Sequence, residues 1–121
     1  GPTTFVMHAA AAALRDEDGS CEMMRKEFDK RRRYLVEEIN KLETFSCLAP
    51  KGAFYIFLNI KKTGMSSQEF CEYIFHKYSI AVIAGNIFGS SGEGFVRISY
   101  AACDETLKAV VDGLQKADKD F

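Results

Sequence analysis

The feature that most constrains the fold is a strict two-residue alternation over residues 95–100. Successive side chains of a strand point to opposite faces of a sheet. An extended segment here therefore has an aliphatic and aromatic face, made of Val96, Ile98 and Tyr100, and a mixed face that contains Arg97. The apolar face of such a strand must be covered by another layer of structure. We expect helices elsewhere in the chain to supply that layer.

The first part of the chain predicts two helices. Residues 4–15 are rich in alanine, the strongest intrinsic helix former. Residues 16–19 interrupt this helix, and Ser20 is a suitable N-cap for a second helix that runs to about Leu42. The apolar residues of the second helix form one stripe, which consists of Met24, Phe28, Leu35, Ile39 and Leu42.

Two further helices are predicted in the second part. Residues 66–69 have the capping-box pattern, a serine followed three positions later by a glutamate, ahead of apolar residues at four-residue intervals. A last helix is predicted from the helical spacing of its apolar residues, which are Leu107, Val110, Val111 and Leu114. Asp104, which precedes them, is placed to cap this helix.

Two more strands complete the predicted elements. The run 53–58 is short, apolar and aromatic, and it follows a turn signal, which is typical of a central strand buried on both faces. Residues 80–83 predict a strand that leads into a glycine-rich loop over 85–94. The order helix, helix, strand, helix, strand, strand, helix predicts an α+β fold, in which helices cover a small three-stranded, mainly antiparallel sheet.

Composition and motifs argue against several kinds of partner. Sixteen basic and seventeen acidic side chains give a net charge of -1, so we expect neither nucleic acid nor an anionic membrane as a partner. The basic run 30–33 is predicted to be a solvated helix face rather than an anion patch. The longest apolar stretch, residues 5–14, is too short to cross a bilayer. The loop 85–94 has no phosphate-binding motif and precedes a strand instead of a helix, so no phosphate site is expected there.

The cysteines and histidines give no sign of a metal site. The four cysteines form no Cys-x-x-Cys pair, and His8 and His76 are isolated. We therefore expect no bound metal, and we expect structural thiols in a reducing, cytoplasmic environment.

Arg97 is the functional candidate that the pattern itself provides. A cation in the middle of a strand, between Val96 and Ile98, is costly unless it meets a carboxylate or open water. Taken alone, this argument favours a structural salt bridge over a contact with a ligand.

Three segments resemble a known family. Residues 85–101, Gly-Asn-Ile-Phe-Gly-Ser-Ser-Gly-Glu-Gly-Phe-Val-Arg-Ile-Ser-Tyr-Ala, resemble the C-terminal signature of class I/II (fold type I) pyridoxal-phosphate-dependent aminotransferases, especially the aspartate and aromatic group. Residues 50–55 resemble the family's Pro-x-Gly-Ala-Phe-Tyr strand, and residues 3–14 resemble the helix that follows its cofactor-binding lysine. The family often has proline at the position of Ala84 and glutamine after the Phe-Val of the early helix, where this chain has Met7-His8.

The resemblance implies that residues 1–121 are the C-terminal small domain of such an enzyme, with residues 1–15 as a connecting helix and residues 19–121 as the domain core. The parent enzyme would be a cytoplasmic homodimer that uses pyridoxal 5'-phosphate to transfer an amino group between an amino acid and a 2-oxo acid. Its large domain, which holds the cofactor and the Schiff-base lysine, would lie outside this chain, so the fragment alone is expected to be inactive.

The same resemblance assigns substrate contacts but no catalytic, cofactor-binding or metal residue to this chain. It implies that Arg97 binds the substrate α-carboxylate and that Phe54 borders the site, although the pattern alone favours a core position for Phe54. The alternative is a stand-alone, non-catalytic module that binds a carboxylate or interacts with another protein.

Overall fold

A computed structural model describes residues 1–15 and 18–121. Four α-helices and four short strands account for most of them. The helices are α1 (Thr4–Arg15), α2 (Ser20–Ile39), α3 (Ser67–Tyr78) and α4 (Asp104–Ala117). The strands are β1 (Ser46–Cys47), β2 (Tyr55–Asn59), β3 (Ile83–Ala84) and β4 (Phe95–Ser99). They form one sheet in the order β1-β2-β4-β3, in which every neighbouring pair is antiparallel.

Three helices cover one face of this sheet. The inward side chains of β2 and β4 form one buried cluster with side chains of α2, α3 and α4. The fully buried members from the two central strands are Ile56, Leu58 and Val96, and burying each of them stabilises the fold by about 1.5–3 kcal/mol. The predicted α+β class and the predicted inward face of β4 are therefore confirmed. By contrast, α1 contributes no buried residue.

The sheet departs from its prediction in two ways. It has a fourth strand, β1, and the strand predicted at residues 80–83 is reduced to Ile83–Ala84. The prediction that both faces of the aromatic run 53–58 are buried is wrong for this chain. Phe57, on the outer face of β2, is 40% exposed, because the covering helices α2, α3 and α4 all pack on the opposite face.

The strand β1 depends on the end of α2. This helix ends at Ile39, short of the predicted Leu42, and Asn40 follows it as the C-cap. The Asn40 side chain donates to the Cys47 carbonyl at 3.0 Å and accepts from the Cys47 N–H at 2.9 Å. This amide holds β1 beside β2. The predicted apolar stripe of α2 is only partly buried, since Met24 is 52% exposed.

The capping box of α3 forms as predicted. The Glu69 N–H donates to the Ser66 Oγ at 3.3 Å, and the Ser66 N–H donates to the Glu69 carboxylate at 2.8 Å. A second carboxylate, that of Glu93, accepts from the Ser67 N–H at 2.7 Å. The pKa of Glu93 is lowered by this backbone hydrogen bond, because it favours the charged form. The loop that precedes β4 is thereby attached to the start of α3.

The two other predicted caps are displaced by one residue. Ser20 and Asp104 are the first residues of their helices, and the N-cap positions are Gly19 and Cys103. Gly19 has a φ of 67°, the left-handed conformation that glycine adopts readily. The predicted interruption at residues 16–19 lies partly outside the described residues. The Asp104 carboxylate does not cap α4, because it accepts a hydrogen bond from Lys30 at 2.8 Å and joins α4 to α2.

The basic run of α2 is paired with carboxylates. Arg31 contacts Glu27 at 3.1 Å, and both Arg32 and Arg33 contact Asp29 at 2.7 Å. These pairs offset part of the positive charge of the run. The prediction of a solvated face holds for Arg33, which is 74% exposed, whereas Arg31 and Arg32 are half-buried. No helix within the described ranges is long and apolar enough to cross a membrane.

Candidate carboxylate-binding site

Arg97 lies in the middle of the outer face of the sheet. Its register partners are Phe57 on β2 and Ile83 on β3, so the guanidinium has a strand on either side. Its neighbours in sequence, Val96 and Ile98, point into the core and are 0% and 4% exposed. The alternation of β4 therefore places a half-buried cation on the face that the helices leave open.

Aromatic rings surround the guanidinium. Its central carbon lies 4.2 Å from the centroid of the Tyr55 ring and 4.9 Å from that of Phe88. The Phe88 ring in turn meets the edge of Phe57 at a centroid distance of 5.6 Å. A cation over the face of an aromatic ring is attracted by the electron density of that face. Two rings thus stabilise the positive charge of Arg97 without neutralising it.

The Arg97 guanidinium makes no hydrogen bond or ion pair to any side chain of residues 1–15 and 18–121. The structural salt bridge that the sequence pattern favours is therefore not formed within this part of the chain. The arginines of α2 differ: Arg25, for example, contacts Glu22 at 2.6 Å. The five N–H donors of a guanidinium match the two oxygens of a planar carboxylate. An arginine with unused donors on an open apolar face is suited to bind a carboxylate from outside the chain.

The glycine-rich loop places Phe88 beside Arg97. It contains two short 3₁₀ turns, Gly85–Phe88 and Ser90–Gly92, whose backbones cross in close contact. A Cβ atom on Gly92 would lie 2.0 Å from the carbonyl oxygen of Gly85, and one on Gly85 would lie 2.2 Å from that of Gly92. Only glycine fits at both positions. The crossing fixes the turn that carries Phe88.

Phe54 lies at the edge of this site. Phe54 directly precedes β2, and its side chain is 39% exposed. The centroid of its ring lies 4.5 Å from that of Tyr55 and 5.9 Å from that of Phe28. It therefore contacts a residue that contacts Arg97, and it belongs neither to the buried core nor to the shell of rings around the guanidinium. Its predicted role at the border of a substrate site stays a prediction.

A strained turn leads into β2 next to these rings. Ala53 has a φ of 59°, which is unfavourable for a residue with a side chain. Two hydrogen bonds from Tyr100 hold this conformation: its hydroxyl donates to the Ala53 carbonyl at 2.9 Å, and its N–H donates to the Phe54 carbonyl at 2.9 Å. The buried Tyr100 thus sets the position at which Phe54 and Tyr55 enter the sheet.

The sequence predicts Arg97 as a candidate site residue but does not predict that Tyr55 and Phe88 are its neighbours. Tyr55 shares the outer face with Phe57 by alternation, but its contact with Arg97 depends on the register between β2 and β4. Phe88 lies in a loop, where no periodicity assigns a face. No group of three or more potential metal-ligating side chains occurs in the part of the chain that the structure covers.

Sequence comparison finds relatives among known aminotransferases. The aspartate aminotransferase of Pyrococcus abyssi (strain GE5 / Orsay) is 46% identical over 117 residues, which are 95% of this chain and 30% of the relative. Aromatic-amino-acid aminotransferase 2 of Thermococcus litoralis is 44% identical over 121 residues, 98% of this chain and 31% of the relative.

Solved structures give the same result. The crystal structure of the aromatic aminotransferase from Pyrococcus horikoshii OT3 superposes with a TM-score of 0.92 at 41% identity, and the match covers 98% of this chain and 32% of that one. The chain therefore spans about three tenths of the length of these relatives. The model of the family "Aminotransferase class I and II" matches residues 2–114, and the chain belongs to this family.

Proposed function

We propose that this chain is the C-terminal small domain of a pyridoxal-phosphate-dependent aminotransferase, and that Arg97 binds the α-carboxylate of the substrate in the full enzyme. The full enzyme transfers an amino group between an amino acid and a 2-oxo acid. One observation carries the role of Arg97: its guanidinium lies among aromatic rings on an open face, without a carboxylate partner in the described residues. Family membership supplies the reaction.

The chemistry of this contact is recognition and orientation. Two parallel N–H groups of a guanidinium bind both oxygens of a carboxylate, which fixes its plane as well as its position. Every α-amino acid and every 2-oxo acid has this carboxylate, so Arg97 selects the substrate class and leaves the side chain to other residues. A substrate held at one end presents its reacting carbon in a defined geometry, which lowers the entropic part of the barrier.

The lysines of this chain do not fit a cofactor site. A lysine that forms a Schiff base needs a lowered pKa, which burial or a neighbouring cation provides. Every lysine here is exposed. The pKa of Lys30 is raised by a hydrogen bond to Asp104, and the pKa of Lys77 is raised by one to Asp120. Pyridoxal phosphate supplies the electron sink of transamination when it is bound. The residues that hold it belong, in this proposal, to the part of the relatives that this chain does not span.

The division into a connecting helix, residues 1–15, and a domain core, residues 19–121, is also part of the proposal. It is supported by the absence of any buried residue in α1, whereas α2, α3 and α4 all contribute to the core. We propose further that the parent is a cytoplasmic homodimer, as the family resemblance implies. The free thiols of Cys47, Cys71 and Cys103 are compatible with a reducing compartment.

A graft tests the role of Arg97. This chain would replace its counterpart in the Pyrococcus abyssi aspartate aminotransferase, and transamination of aspartate with 2-oxoglutarate would be measured. We expect an active graft, and Arg97→Ala should lower kcat/KM by about 10²–10⁴-fold, because two hydrogen bonds to a charged group are lost. Arg33→Ala is the control, since Arg33 is 74% exposed on α2 and is paired with Asp29. An active graft that is insensitive to Arg97→Ala would contradict the proposed contact.

A stand-alone carboxylate-binding module is the second candidate. It is favoured by the fact that the Arg97 donors are already available in this chain. Calorimetric titration of the chain with aspartate, glutamate and 2-oxoglutarate separates the two candidates. Saturable binding that Arg97→Ala abolishes would favour the module, whereas the aminotransferase proposal predicts no saturable binding, because most substrate contacts would come from the rest of the enzyme.

A further inference from the structure

We propose that Tyr55 and Phe88 are positioning residues, whose rings hold the Arg97 guanidinium ready for a carboxylate. This inference rests on the proposed function and extends it, because it identifies what keeps the anchor in place when no substrate is bound. Both rings lie close to the central carbon of the guanidinium, at 4.2 Å for Tyr55 and 4.9 Å for Phe88.

Rings differ from a carboxylate as partners of an arginine. A carboxylate of the chain itself would neutralise Arg97 and occupy the N–H donors that an incoming carboxylate needs. An aromatic face attracts the cation as a whole through its quadrupole and leaves those donors unused. Among residues 1–15 and 18–121, Arg97 has two ring partners and no carboxylate partner. Both facts belong to one arrangement, which stabilises the cation and keeps its donors unused.

Each ring is itself held by a second contact. The centroid of the Tyr55 ring lies 4.5 Å from that of the Phe54 ring. The backbone carbonyl of Phe54 in turn accepts a hydrogen bond from the N–H of the buried Tyr100. The Phe88 ring lies 5.6 Å from Phe57 and belongs to the turn that the Gly85–Gly92 crossing fixes. A long arginine side chain loses much rotamer freedom when it binds a ligand. Because these rings restrict it beforehand, part of that cost is removed from the binding step.

The chain offers matched controls for both rings. Ile87 belongs to the same turn as Phe88, is 70% exposed and has no ring, so Ile87→Ala disturbs the turn without touching the proposed contact. Tyr55→Phe keeps the ring and removes only the hydroxyl. Tyr55→Leu and Phe88→Leu keep apolar bulk and remove the ring face, and Phe88 is 51% exposed, which makes unfolding by its substitution unexpected.

The first measurement is spectroscopic and uses this chain. The Nε–Hε signal of Arg97 would be assigned in a ¹⁵N-labelled sample by its loss in Arg97→Lys. A proton held against ring faces is displaced from its ordinary chemical shift. We expect this displacement to shrink in Tyr55→Leu and in Phe88→Leu, and to persist in Tyr55→Phe and Ile87→Ala, while the backbone spectrum away from the site stays that of the folded chain.

The second measurement is kinetic and uses the graft described above. Loss of either ring should raise KM for the amino acid by about two- to tenfold, the cost of ordering one long side chain, with a smaller effect on kcat. Suppose that Arg97→Lys reduces activity while Tyr55→Leu and Phe88→Leu change neither the Arg97 signal nor KM. The positioning role of the rings is then wrong, and the proposed carboxylate contact of Arg97 is unaffected. If Arg97→Lys has no effect on KM or kcat, the proposed function of Arg97 is wrong. A Tyr55→Phe variant as impaired as Tyr55→Leu would also refute the role of the ring face.

Discussion

The crossing of the two 3₁₀ turns makes Gly92→Ala a sharp test of how the site is built. The added Cβ would lie 2.0 Å from the Gly85 carbonyl oxygen and 3.3 Å from the Asn86 backbone nitrogen. The first contact is far shorter than any that a real Cβ atom makes, and the opposing atom is backbone, which cannot rotate away as a side chain can. The turns must therefore separate by more than an ångström. Overpacking of this kind costs about 1–3 kcal/mol, and we expect the upper part of that range because no flexible group absorbs the strain.

Urea denaturation of this chain, followed by circular dichroism, measures the effect as a change in midpoint at constant slope. Gly52→Ala is the matched control, because a Cβ atom at Gly52 would meet nothing within 4 Å and its φ is not in the left-handed region. That variant should be neutral or slightly stabilising, since alanine restricts the unfolded chain. A Gly92→Ala variant with the midpoint of the wild type would show that the crossing does not hold the loop as described.

Three further predictions concern single side chains. Ser66→Ala should lower the free energy of unfolding by about 1 kcal/mol, because it removes the side-chain acceptor of the capping box. Ser66→Asp, which keeps an acceptor at this position, is the control in the same urea experiment. The pKa of Asp120 is lowered to about 2 by hydrogen bonds from Tyr73 and from two other side chains of α3. The stability that these hydrogen bonds contribute is complete above the unfolded pKa near 3.8 and is lost as the pH falls toward 2. The stability of Asp120→Asn, measured in the same urea experiment, should therefore depend less on pH in that window. Burial raises the pKa of Cys47 to about 11, so Cys47 should react with iodoacetamide more slowly than the exposed Cys103 in a peptide map, and equal rates would contradict its burial.

Much of the fold could be predicted from local patterns. The alternation over residues 95–100 correctly places Arg97 outside and Val96 inside, because a period of two depends only on the strand itself. The capping box locates the start of α3 for a similar reason. The strand β1 escapes prediction, since its two residues are held by the amide of Asn40 and have no period of their own.

The surroundings of Arg97 could not be predicted in the same way. The contact with Tyr55 requires the register of β2 on β4, and the contact with Phe88 requires the path of a loop, and both are set by the packing of the whole domain. The prediction that the outer face of β2 is buried was wrong because it relied on the aromatic composition of that face. Such a composition is typical of a covered surface, as expected where a larger assembly would supply the cover.

The helix α1 has a consequence for how this chain unfolds. It has twelve residues and none of them is buried, and isolated helices of about 12–15 residues are only marginally stable in water. Its backbone amides should therefore exchange their hydrogens with solvent almost as fast as those of a free peptide, while amides of β2 and β4 exchange only through cooperative opening of the core. The measured unfolding transition will report on the layer of α2, α3 and α4 over the sheet, and α1 will fall outside that cooperative unit.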